Sequence, residues 1–309
     1  MKIEIDAKRK NKSQITNRKS QIPPVCLTIA GLDPSGGAGI IADIKTFTAF
    51  GCFATAAIAS LTFQNTTKVF GAVHQTAKSI RGQIVPIIED YTIAATKTGM
   101  LPTREIIEET ARIVKENNLK NLVVDPVVRS TSGFDLIDDA ALRVLIEQLF
   151  PLADLVTPNL PEAERIARMR IQTEPDIEKA ARIMQSFGAK NVLIKGGHLP
   201  ISGLGFRIWD LKRDLNHDEE RRLMTDKRVA RDFLFVGDER RIFEGEFIET
   251  NATHGTGCTL AAAITANLAL GKTLVEAVET AKKFVTEAIR TAPNLGRGHS
   301  PINLLRGTE

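Results

Sequence analysis

From residue 25 onward, short apolar runs that end near Gly, Pro or Asp alternate with longer segments of helical periodicity. Strands joined in this way by single helices pair in parallel and need helices on both faces of the sheet. The apolar runs predicted as strands are 25–31, 55–63, 92–100, 121–128, 153–159, 191–197 and 232–237. Helices are predicted near 39–51, 76–90, 103–118, 138–149, 160–169, 175–187, 257–270 and 273–291, with a kink or break at Pro86. The pattern predicts an α/β protein with a mostly parallel sheet and sites at the carboxyl ends of its strands.

The positive charge of the chain is concentrated at its N-terminus. The 309 residues carry a net charge of +4, but residues 1–24 hold seven Lys/Arg and two Asp/Glu, which leaves −1 for residues 25–309. We interpret 1–24 as a basic, disordered extension, because a solvated leader explains such a run better than a nucleic-acid-binding arm. Residues 25–309 are expected to form a single domain, since no Pro/Gly-rich linker divides them, with a charged surface insertion at about 201–231.

The composition excludes several classes of protein. Apolar residues make up 43% and charged residues 25% of the chain, which is typical of a globular protein rather than a disordered or fibrous one. The sequence contains neither a secretory signal nor an apolar stretch long enough to span a bilayer, so we predict a cytoplasmic protein without a membrane partner. The three cysteines lack the paired spacing of a disulfide framework or a zinc site.

Two glycine patterns match nucleotide-binding motifs only formally. Residues 37–42 fit a dinucleotide fingerprint, but that fingerprint needs an acidic residue about 20 positions later, and no Asp or Glu occurs between Asp43 and Glu89. We therefore reject a nicotinamide or flavin site, although these glycines still permit an anion or polar ligand at a helix start. Residues 266–273 resemble a Walker A loop, but they lie between two predicted helices, so Gly271 is interpreted as a helix stop.

A third glycine segment, NATHGTGCT at 251–259, leads directly into a predicted helix. Its backbone N–H groups at the helix N-terminus are suited to the charge of a phosphoryl group in transfer. Cys258 is expected in the first turn, where the helix dipole should lower the pKa of its thiol and make it a proton acceptor. A buried, inert cysteine is the alternative interpretation.

Seven ordered motifs resemble those of the hydroxymethylpyrimidine/phosphomethylpyrimidine kinases of thiamin biosynthesis, members of the ribokinase-like fold. The motifs are LTIAGLDPSGGAGIIADIKTF, SLTFQNT, KTGML, VVDPVV, TPNLPEA, IKGGH and THGTGCTLAAAI. The resemblance covers 25–200 and 232–305, and it implies a three-layer α/β/α fold. It further implies ATP-dependent phosphorylation of 4-amino-5-hydroxymethyl-2-methylpyrimidine, followed by phosphorylation of the monophosphate to the diphosphate.

The resemblance also implies roles for individual residues in catalysis and substrate binding. Cys258 matches the position of the catalytic base, in an anion hole formed by Gly255, Thr256 and Gly257. The substrate-binding positions are Gln64, Asp43, Gly31 and Met100. Gln64 would read the aminopyrimidine edge, because a carboxamide offers a donor and an acceptor side by side. Asp43 would lie near the hydroxymethyl group, and Gly31 and Met100 would pack on the ring.

A second group of positions is expected to bind the nucleotide and its metal ion. The residues implied at the ATP phosphates are Lys195, Asn159 and Glu162. Asp125 and Glu162 are expected to hold Mg²⁺, partly through water, because this ion takes few carboxylates and keeps several waters. ATP and Mg²⁺ are thus the implied cofactors.

Two alternative functions remain open from the sequence. The nearest is a pyridoxal or pyridoxine kinase, since enzymes of this fold with a GTGC turn can accept vitamin B6 alcohols. A non-catalytic pyrimidine-sensing regulator with a basic tail on nucleic acid belongs to a different class, and the complete set of phosphate-site residues argues against it. Members of the family commonly form homodimers, an assembly that no feature of this sequence decides.

Overall fold

The computed structural model describes residues 22–129, 135–196 and 229–305. Most of the predicted basic extension at 1–24 and most of the predicted insertion at 201–231 therefore lie outside the described residues. The last part of that predicted insertion, 229–231, belongs to a β-strand. The assigned elements below are numbered in chain order along the described residues.

The described strands form one sheet in the order β3-β2-β1-β4-β5-β6-β7-β8-β9. The central strands β2, β1, β4, β5, β6 and β7 are parallel, whereas β3 and the β8–β9 hairpin pair antiparallel at the two edges. The strands are β1 Val25–Leu32, β2 Phe53–Gln64, β3 Val69–His74, β4 Ile93–Thr98, β5 Leu122–Val124, β6 Leu155–Val156, β7 Asn191–Lys195, β8 Val229–Val236 and β9 Glu239–Glu246. This topology confirms the predicted α/β class and its mostly parallel sheet.

The helices begin and end close to the predicted positions. They are α1 Gly39–Ala49, α2 Ala77–Asp90, α3 Arg104–Glu116, α4 Asp139–Val144, α5 Leu160–Ala167, α6 Glu174–Ser186, α7 Thr256–Ala269 and α8 Leu274–Arg290. A π-helical segment, Leu145–Leu149, continues α4. Helix α2 runs through Pro86, so of the predicted kink or break the break is wrong. Between α7 and α8, Gly271 has a φ of +83°, which confirms it as a helix stop and excludes a Walker A loop.

The helices cover both faces of the sheet, and the strands supply alternate side chains to the two layers. In β5, Leu122 and Val124 pack with helices α2 to α6, whereas Val123 packs with α7 and α8. Helix α1 joins α7 in a further cluster through Phe47 and Ala262. Apolar side chains on both faces are required where a parallel sheet is covered twice. The result is the predicted three-layer α/β/α arrangement.

Candidate active site

A cavity of about 690 Å³ lies at the carboxyl edge of the parallel strands. All the site residues predicted from the sequence line this cavity, with the exception of Asp43. The lining residues are Gly31, Gln64, Met100, Asp125, Asn159, Glu162, Lys195, Gly255, Thr256, Gly257 and Cys258. Six of them lie at or just after the carboxyl end of a strand, Glu162 lies in α5, and the last four come from the start of α7. The parallel topology therefore brings together residues that are up to 227 positions apart in the chain.

The turn before α7 packs directly against the first glycine loop. Gly255 is the N-cap of α7 and has a φ of +83°, a conformation that side-chain-bearing residues rarely adopt. A Cβ on Gly255 would overlap the carbonyl oxygen of Gly37, and a Cβ on Gly37 would overlap the ring of His254. The glycines are therefore needed for contact between the two loops, which leaves the N-terminus of α7 open toward the cavity.

Gly255→Ala is expected to lower kcat by at least about 10-fold, because the added methyl must push the turn away from Gly37. Gly271→Ala is the matched control, since Gly271 has the same φ of +83° but open space where its Cβ would lie. We expect the control to lose about 1 kcal/mol of stability and to keep its turnover. Steady-state kinetics and thermal unfolding of both variants make the comparison, and equal loss of kcat in the two would contradict the contact argument.

Cys258 lies in the first turn of α7 and is partly exposed in the cavity. Burial raises the pKa of its thiol to about 11, although the ammonium of Lys97 and the backbone N–H of Gly39 oppose this shift. The nearby carboxylates of Asp125 and Asp43 also contribute to this raised pKa. The expectation of a lowered thiol pKa is therefore wrong: desolvation and two neighbouring anions outweigh the favourable position at the helix start. Cys258 holds its proton at neutral pH.

Asp43 lies beneath the cavity rather than in its lining, and its side chain is fully buried. Its Oδ2 accepts hydrogen bonds from Thr28 Oγ1 at 2.6 Å and from Lys97 Nζ at 2.8 Å. Lys97 is in turn one of the residues around the cavity, although its side chain is fully buried. Asp43 is thus separated from the cavity by Lys97, whose ammonium it binds. The predicted contact of Asp43 with the substrate hydroxymethyl group stays a prediction.

The heterocycle-binding residues predicted from the sequence lie at the ends of three neighbouring strands. Gln64 ends β2, Gly31 lies near the end of β1, and Met100 follows β4. A Cβ on residue 31 would lie 2.9 Å from Met100 Sδ, which is too close for two non-bonded atoms. The Met100 thioether can therefore pack on this position only because the residue is glycine. The three residues border the same cavity, which leaves a carboxamide beside an apolar surface.

Lys195 ends β7, and its ammonium lies beside the anion-binding turn. Its Nζ donates to Asp125 Oδ1 at 2.8 Å, and Thr157 Oγ1 donates to the same oxygen at 3.0 Å. A Cβ on Gly257 would lie 3.2 Å from Lys195 Nζ. Asp125 raises the pKa of Lys195 against the effect of burial, so a positive charge is held at the α7 N-terminus.

The side chain of Glu162 is held in place by hydrogen bonds at the N-terminus of α5. Its Oε2 accepts from the backbone N–H of Asn159 at 2.8 Å, and Asn159 Oδ1 accepts from the N–H of Glu162 at 2.9 Å, which forms a capping box. Burial and the charge of Asp125 raise the pKa of Glu162 to about 7, against the effect of Lys195 and of the N–H groups of Asn159 and Val128. Two buried carboxylates that repel each other suit a dication with few protein ligands, so this pair fits Mg²⁺.

Sequence reasoning missed three parts of the lining. Lys97 lies in the KTGML motif and His254 precedes the anion-binding turn, but neither residue was predicted to belong to the site. Another part of the lining is apolar, with Leu260, Val285 and Ile289 near the buried ion pair of Lys282 with Asp232, whose charged atoms lie 2.6 Å apart. A surface of this kind suits a flat ring such as a nucleobase. In the sequence, this apolar surface is visible only as the apolar periodicity of α7 and α8. Ordinary core helices have the same periodicity, so the pattern does not identify a binding surface.

The fold and the cavity together define a class of protein. A doubly covered parallel sheet whose strand ends present a carboxylate pair, two lysines and an open helix N-terminus is the arrangement of a small-molecule phosphotransferase. In the part of the chain that the structure describes, no helix has the length and hydropathy needed to cross a membrane.

Comparison with known proteins gives the family. The phosphomethylpyrimidine kinase profile matches residues 33–303. The hydroxymethylpyrimidine/phosphomethylpyrimidine kinase of Haemophilus influenzae is 41% identical over 278 residues, which cover 90% of this chain and 95% of that protein. The phosphomethylpyrimidine kinase structure from Clostridium difficile 630 has a TM-score of 0.70 at 38% identity, covering 86% of this chain and 99% of that one. The chain belongs to the phosphomethylpyrimidine kinase family, which confirms the predicted function and enzyme class and the ribokinase-like fold.

A related activity occurs on the same fold. The structure of Bacillus subtilis pyridoxal kinase, solved as an ADP complex, has a TM-score of 0.75 at 36% identity and covers 91% of this chain and 97% of that one. The predicted alternative, a pyridoxal kinase, is therefore represented among the relatives. ATP as the phosphoryl donor agrees with the kinase family and with such nucleotide complexes.

Proposed function

We propose that the cavity carries out both phosphorylations of the family on one set of residues, with Mg-ATP as donor. The acceptors are 4-amino-5-hydroxymethyl-2-methylpyrimidine and then its monophosphate. One observation supports this most strongly: the Gln64 carboxamide and the Gly255–Cys258 turn open into the same cavity. A flat, hydrogen-bonding ring and a transferring phosphoryl group can therefore be bound side by side.

In the first step the hydroxymethyl oxygen attacks the γ-phosphorus of ATP, and the bond from that phosphorus to the β,γ-bridging oxygen of ADP breaks. The N–H groups at Gly255 to Cys258 and the ammonium of Lys195 stabilise the charge on the phosphoryl oxygens. The thiolate form of Cys258, a small fraction at neutral pH because its pKa is about 11, is positioned to take the alcohol proton late in the transfer, when the acidity of that proton has risen. Asp125 and Glu162 would hold Mg²⁺, mainly through water, and the ion would neutralise charge on the nucleotide phosphates.

The test of the function is incubation of the full chain with Mg-ATP and the pyrimidine alcohol, followed by mass analysis of the products. Both the monophosphate and the diphosphate are expected, together with ADP. If only the monophosphate forms, the second step is absent. If neither product forms while ATP and the alcohol remain, the proposed function is wrong.

Gln64→Ala is expected to raise the KM for the pyrimidine alcohol by about 10-fold or more, because the variant loses hydrogen bonds to the ring edge. Asn65→Ala is the matched control, since Asn65 is the next carboxamide in the chain but lies outside the cavity lining. Its Oδ1 accepts from the backbone N–H of Thr67, and we expect a KM within about 2-fold of the wild-type value. Initial-rate kinetics measure both, and an unchanged KM in the Gln64 variant would remove this residue from ring recognition.

Pyridoxal or pyridoxine phosphorylation is the second candidate, supported by the likeness to the Bacillus subtilis pyridoxal kinase. The Gln64 edge and the apolar contact at Met100 suit either heterocycle. The ratio of kcat/KM for the pyrimidine alcohol and for pyridoxal decides between them. A strong preference for pyridoxal would reassign the main substrate.

The protein is further proposed to work as a cytoplasmic homodimer. Apolar side chains on the β2–β3 edge support self-association, since Phe63 and Phe70 are 53% and 60% exposed there. Sedimentation at micromolar concentration tests this, and a single monomeric species would contradict it.

A further inference from the structure

The chain beyond α8 passes close to the active site and packs against the turn between β2 and β3. The backbone N–H groups of Arg297 and Gly298 both donate to Thr66 Oγ1, at 3.2 and 3.3 Å. The N–H of His299 donates to the carbonyl oxygen of Thr66 at 2.8 Å. Thr66 follows Gln64 by two residues, so these three hydrogen bonds hold the chain immediately after the proposed ring-binding side chain.

This contact depends on glycine at two positions. Gly296 has a φ of +83°, and a Cβ there would overlap the side chain of Thr66. A Cβ on Gly298 would overlap the carbonyl oxygen of Thr66 and would lie 2.6 Å from Thr67 Cα. These last two atoms belong to the backbone, so no rotation of a side chain can relieve the overlap. A larger residue at 298 must therefore move the two segments apart.

The following residues contact the chain just before the anion-binding turn. His299 Nδ1 lies 3.3 Å from Thr253 Oγ1. The carbonyl oxygen of Ser300 accepts from the backbone N–H of His254 at 3.3 Å. Thr253 and His254 immediately precede the N-cap of α7. Residues 296–300, named here the connecting segment, therefore contact both the β2–β3 turn and the approach to the anion-binding turn.

The connecting segment is itself anchored to the core. Just beyond it, Ile302 and Leu304 are buried in one cluster with Ala42 of α1 and Ala288 of α8. The backbone N–H of Asn303 donates to the carbonyl oxygen of Ala288 at 2.9 Å. The relative position of the two turns is therefore set by an anchored segment as well as by the strand and the helix that carry them.

The connecting segment lies outside the cavity whose lining includes Gln64 and the Gly255–Cys258 turn, and all of its residues are among those described. Any effect of the segment on catalysis must therefore pass through the position of the two turns. Transfer requires the acceptor oxygen and the phosphoryl group to meet in line, and small displacements slow it strongly. Binding of each substrate by itself depends less on the relation between the two turns.

We infer that the connecting segment is a positioning element for phosphoryl transfer: it fixes the Gln64 ring site relative to the anion-binding turn. The inference rests on the proposed function, because it concerns how the same cavity brings its two substrates together. Loosening the segment should slow the transfer step and leave the KM values for the pyrimidine alcohol and for Mg-ATP nearly unchanged.

The main experiment compares Gly298→Ala with the wild type in the full chain. The variant is expected to lower the single-turnover rate with Mg-ATP and the pyrimidine alcohol by about 10-fold, with both KM values within about 3-fold. Gly82→Ala is the matched control, because Gly82 lies in α2, outside the cavity lining, with open space where its Cβ would lie. Its rate should stay within about 2-fold of the wild-type value. An unchanged rate in Gly298→Ala, or an effect confined to KM, would overturn the inference.

Thr66 allows a milder test that does not depend on the folding of the Gly298 variant. Thr66→Val removes the hydroxyl that accepts two hydrogen bonds and keeps the shape of the side chain, so the single-turnover rate should fall by about 5-fold. Thr66→Ser keeps the hydroxyl and should recover most of this loss. Failure of that rescue in a serine variant with wild-type thermal stability would contradict the positioning role.

A double-mutant cycle tests whether the segment acts as one connection between the turns. His299→Ala removes the side-chain contact with Thr253 at one end, and Thr66→Val weakens the other end. If the segment links the two turns, breaking either end removes the link, so the double variant should be little slower than the slower single variant. Fully multiplicative losses would mean two independent contacts and would overturn the inference.

Hydrogen exchange at the backbone N–H of His254 gives a measurement that is independent of activity. This group donates to Ser300, so Gly298→Ala should speed its exchange by about 10-fold, whereas Gly82→Ala should leave it unchanged. Exchange as slow in Gly298→Ala as in the wild type would refute the link between the turns. Absence of pyrimidine phosphorylation in the wild type would instead refute the proposed function, so the two failures are distinguishable.

Discussion

Replacing Cys258 with alanine is expected to lower kcat for the pyrimidine alcohol by on the order of 10²-fold or more, the size of a general acid–base contribution. The variant keeps the helix N-terminus and its N–H groups, which belong to the backbone. It loses only the sulfur that lies in the cavity beside the proposed path of the transferring group. Single-turnover kinetics with Mg-ATP measure the effect, and near-normal turnover would remove Cys258 from the mechanism.

The second reaction provides an internal control for this prediction. The nucleophile there is an oxygen of a phosphate monoester, which is mostly deprotonated above its second pKa near 6. It needs no base at pH 8, whereas the alcohol in the first step must lose a proton. Cys258→Ala should therefore slow phosphorylation of the alcohol far more than phosphorylation of the monophosphate. Equal losses in the two steps would mean that the cysteine positions the turn and does not accept a proton.

The raised pKa of Cys258 also determines the expected pH dependence. Burial and the neighbouring carboxylates place the pKa of the thiol at about 11. Below that value the thiolate fraction rises about tenfold with each unit of pH. The single-turnover rate of the first step should therefore increase between pH 6 and 9 without a plateau near 8.5, and the alanine variant should lose this slope. A plateau near 8.5 in the wild type would indicate an ordinary, unburied thiol.

The fold was largely predictable because its central strands are buried on both faces and its helices each have one apolar stripe that faces the sheet. The strands missed by sequence reasoning, β3 and β9, lie at the two edges of the sheet. In β3, Gly71 interrupts a short run whose Phe70 and Val73 are exposed, and β9 is mostly charged with Ile242 and Phe243 adjacent. Edge strands need no continuous apolar face, so periodicity does not reveal them.

The site was predictable where motifs carry it and hidden where it depends on contacts between distant segments. Glycine spacing and the family resemblance placed Gln64 and Cys258, and the structure brings them to one cavity. The contact of Asp33 with His254 joins residues 221 positions apart, which no local pattern encodes. The thiol pKa of Cys258 was predicted in the wrong direction, because the sequence shows the helix start but not the burial that opposes it.

Lys97→Met is expected to reduce the free energy of unfolding by about 3–5 kcal/mol, because it leaves the buried carboxylate of Asp43 without its cation. Both side chains are fully buried, and Lys97 Nζ lies 2.8 Å from Asp43 Oδ2. Asp43 Oδ1 has no hydrogen-bond partner within the described residues, so its charge depends on Oδ2 contacts alone. Urea denaturation of the wild type and the variant measures the difference.

Matched variants separate burial of the charge from loss of a lysine. Lys190→Met breaks an exposed pair with Asp154, whose charged atoms lie 3.1 Å apart, and should cost less than about 1 kcal/mol. The double variant Lys97→Met, Asp43→Leu should recover most of the stability, since buried ion pairs can be replaced by apolar pairs of similar volume. A double variant as unstable as the single one would mean that packing, not the unpaired charge, explains the loss.

The pH dependence of the Lys97 variant follows from the same argument. Burial raises the pKa of Asp43, and Lys97 and Thr28 oppose that shift in the wild type. Without Lys97 the pKa of Asp43 in the folded state rises further above its unfolded value. The cost of the ionised group is then largest at high pH and disappears as the pH falls below the unfolded pKa, where Asp43 is protonated in both states. Lys97→Met should therefore be closer to the wild type in stability at pH 5 than at pH 8, and a larger gap at pH 5 would contradict an unpaired carboxylate as the cause.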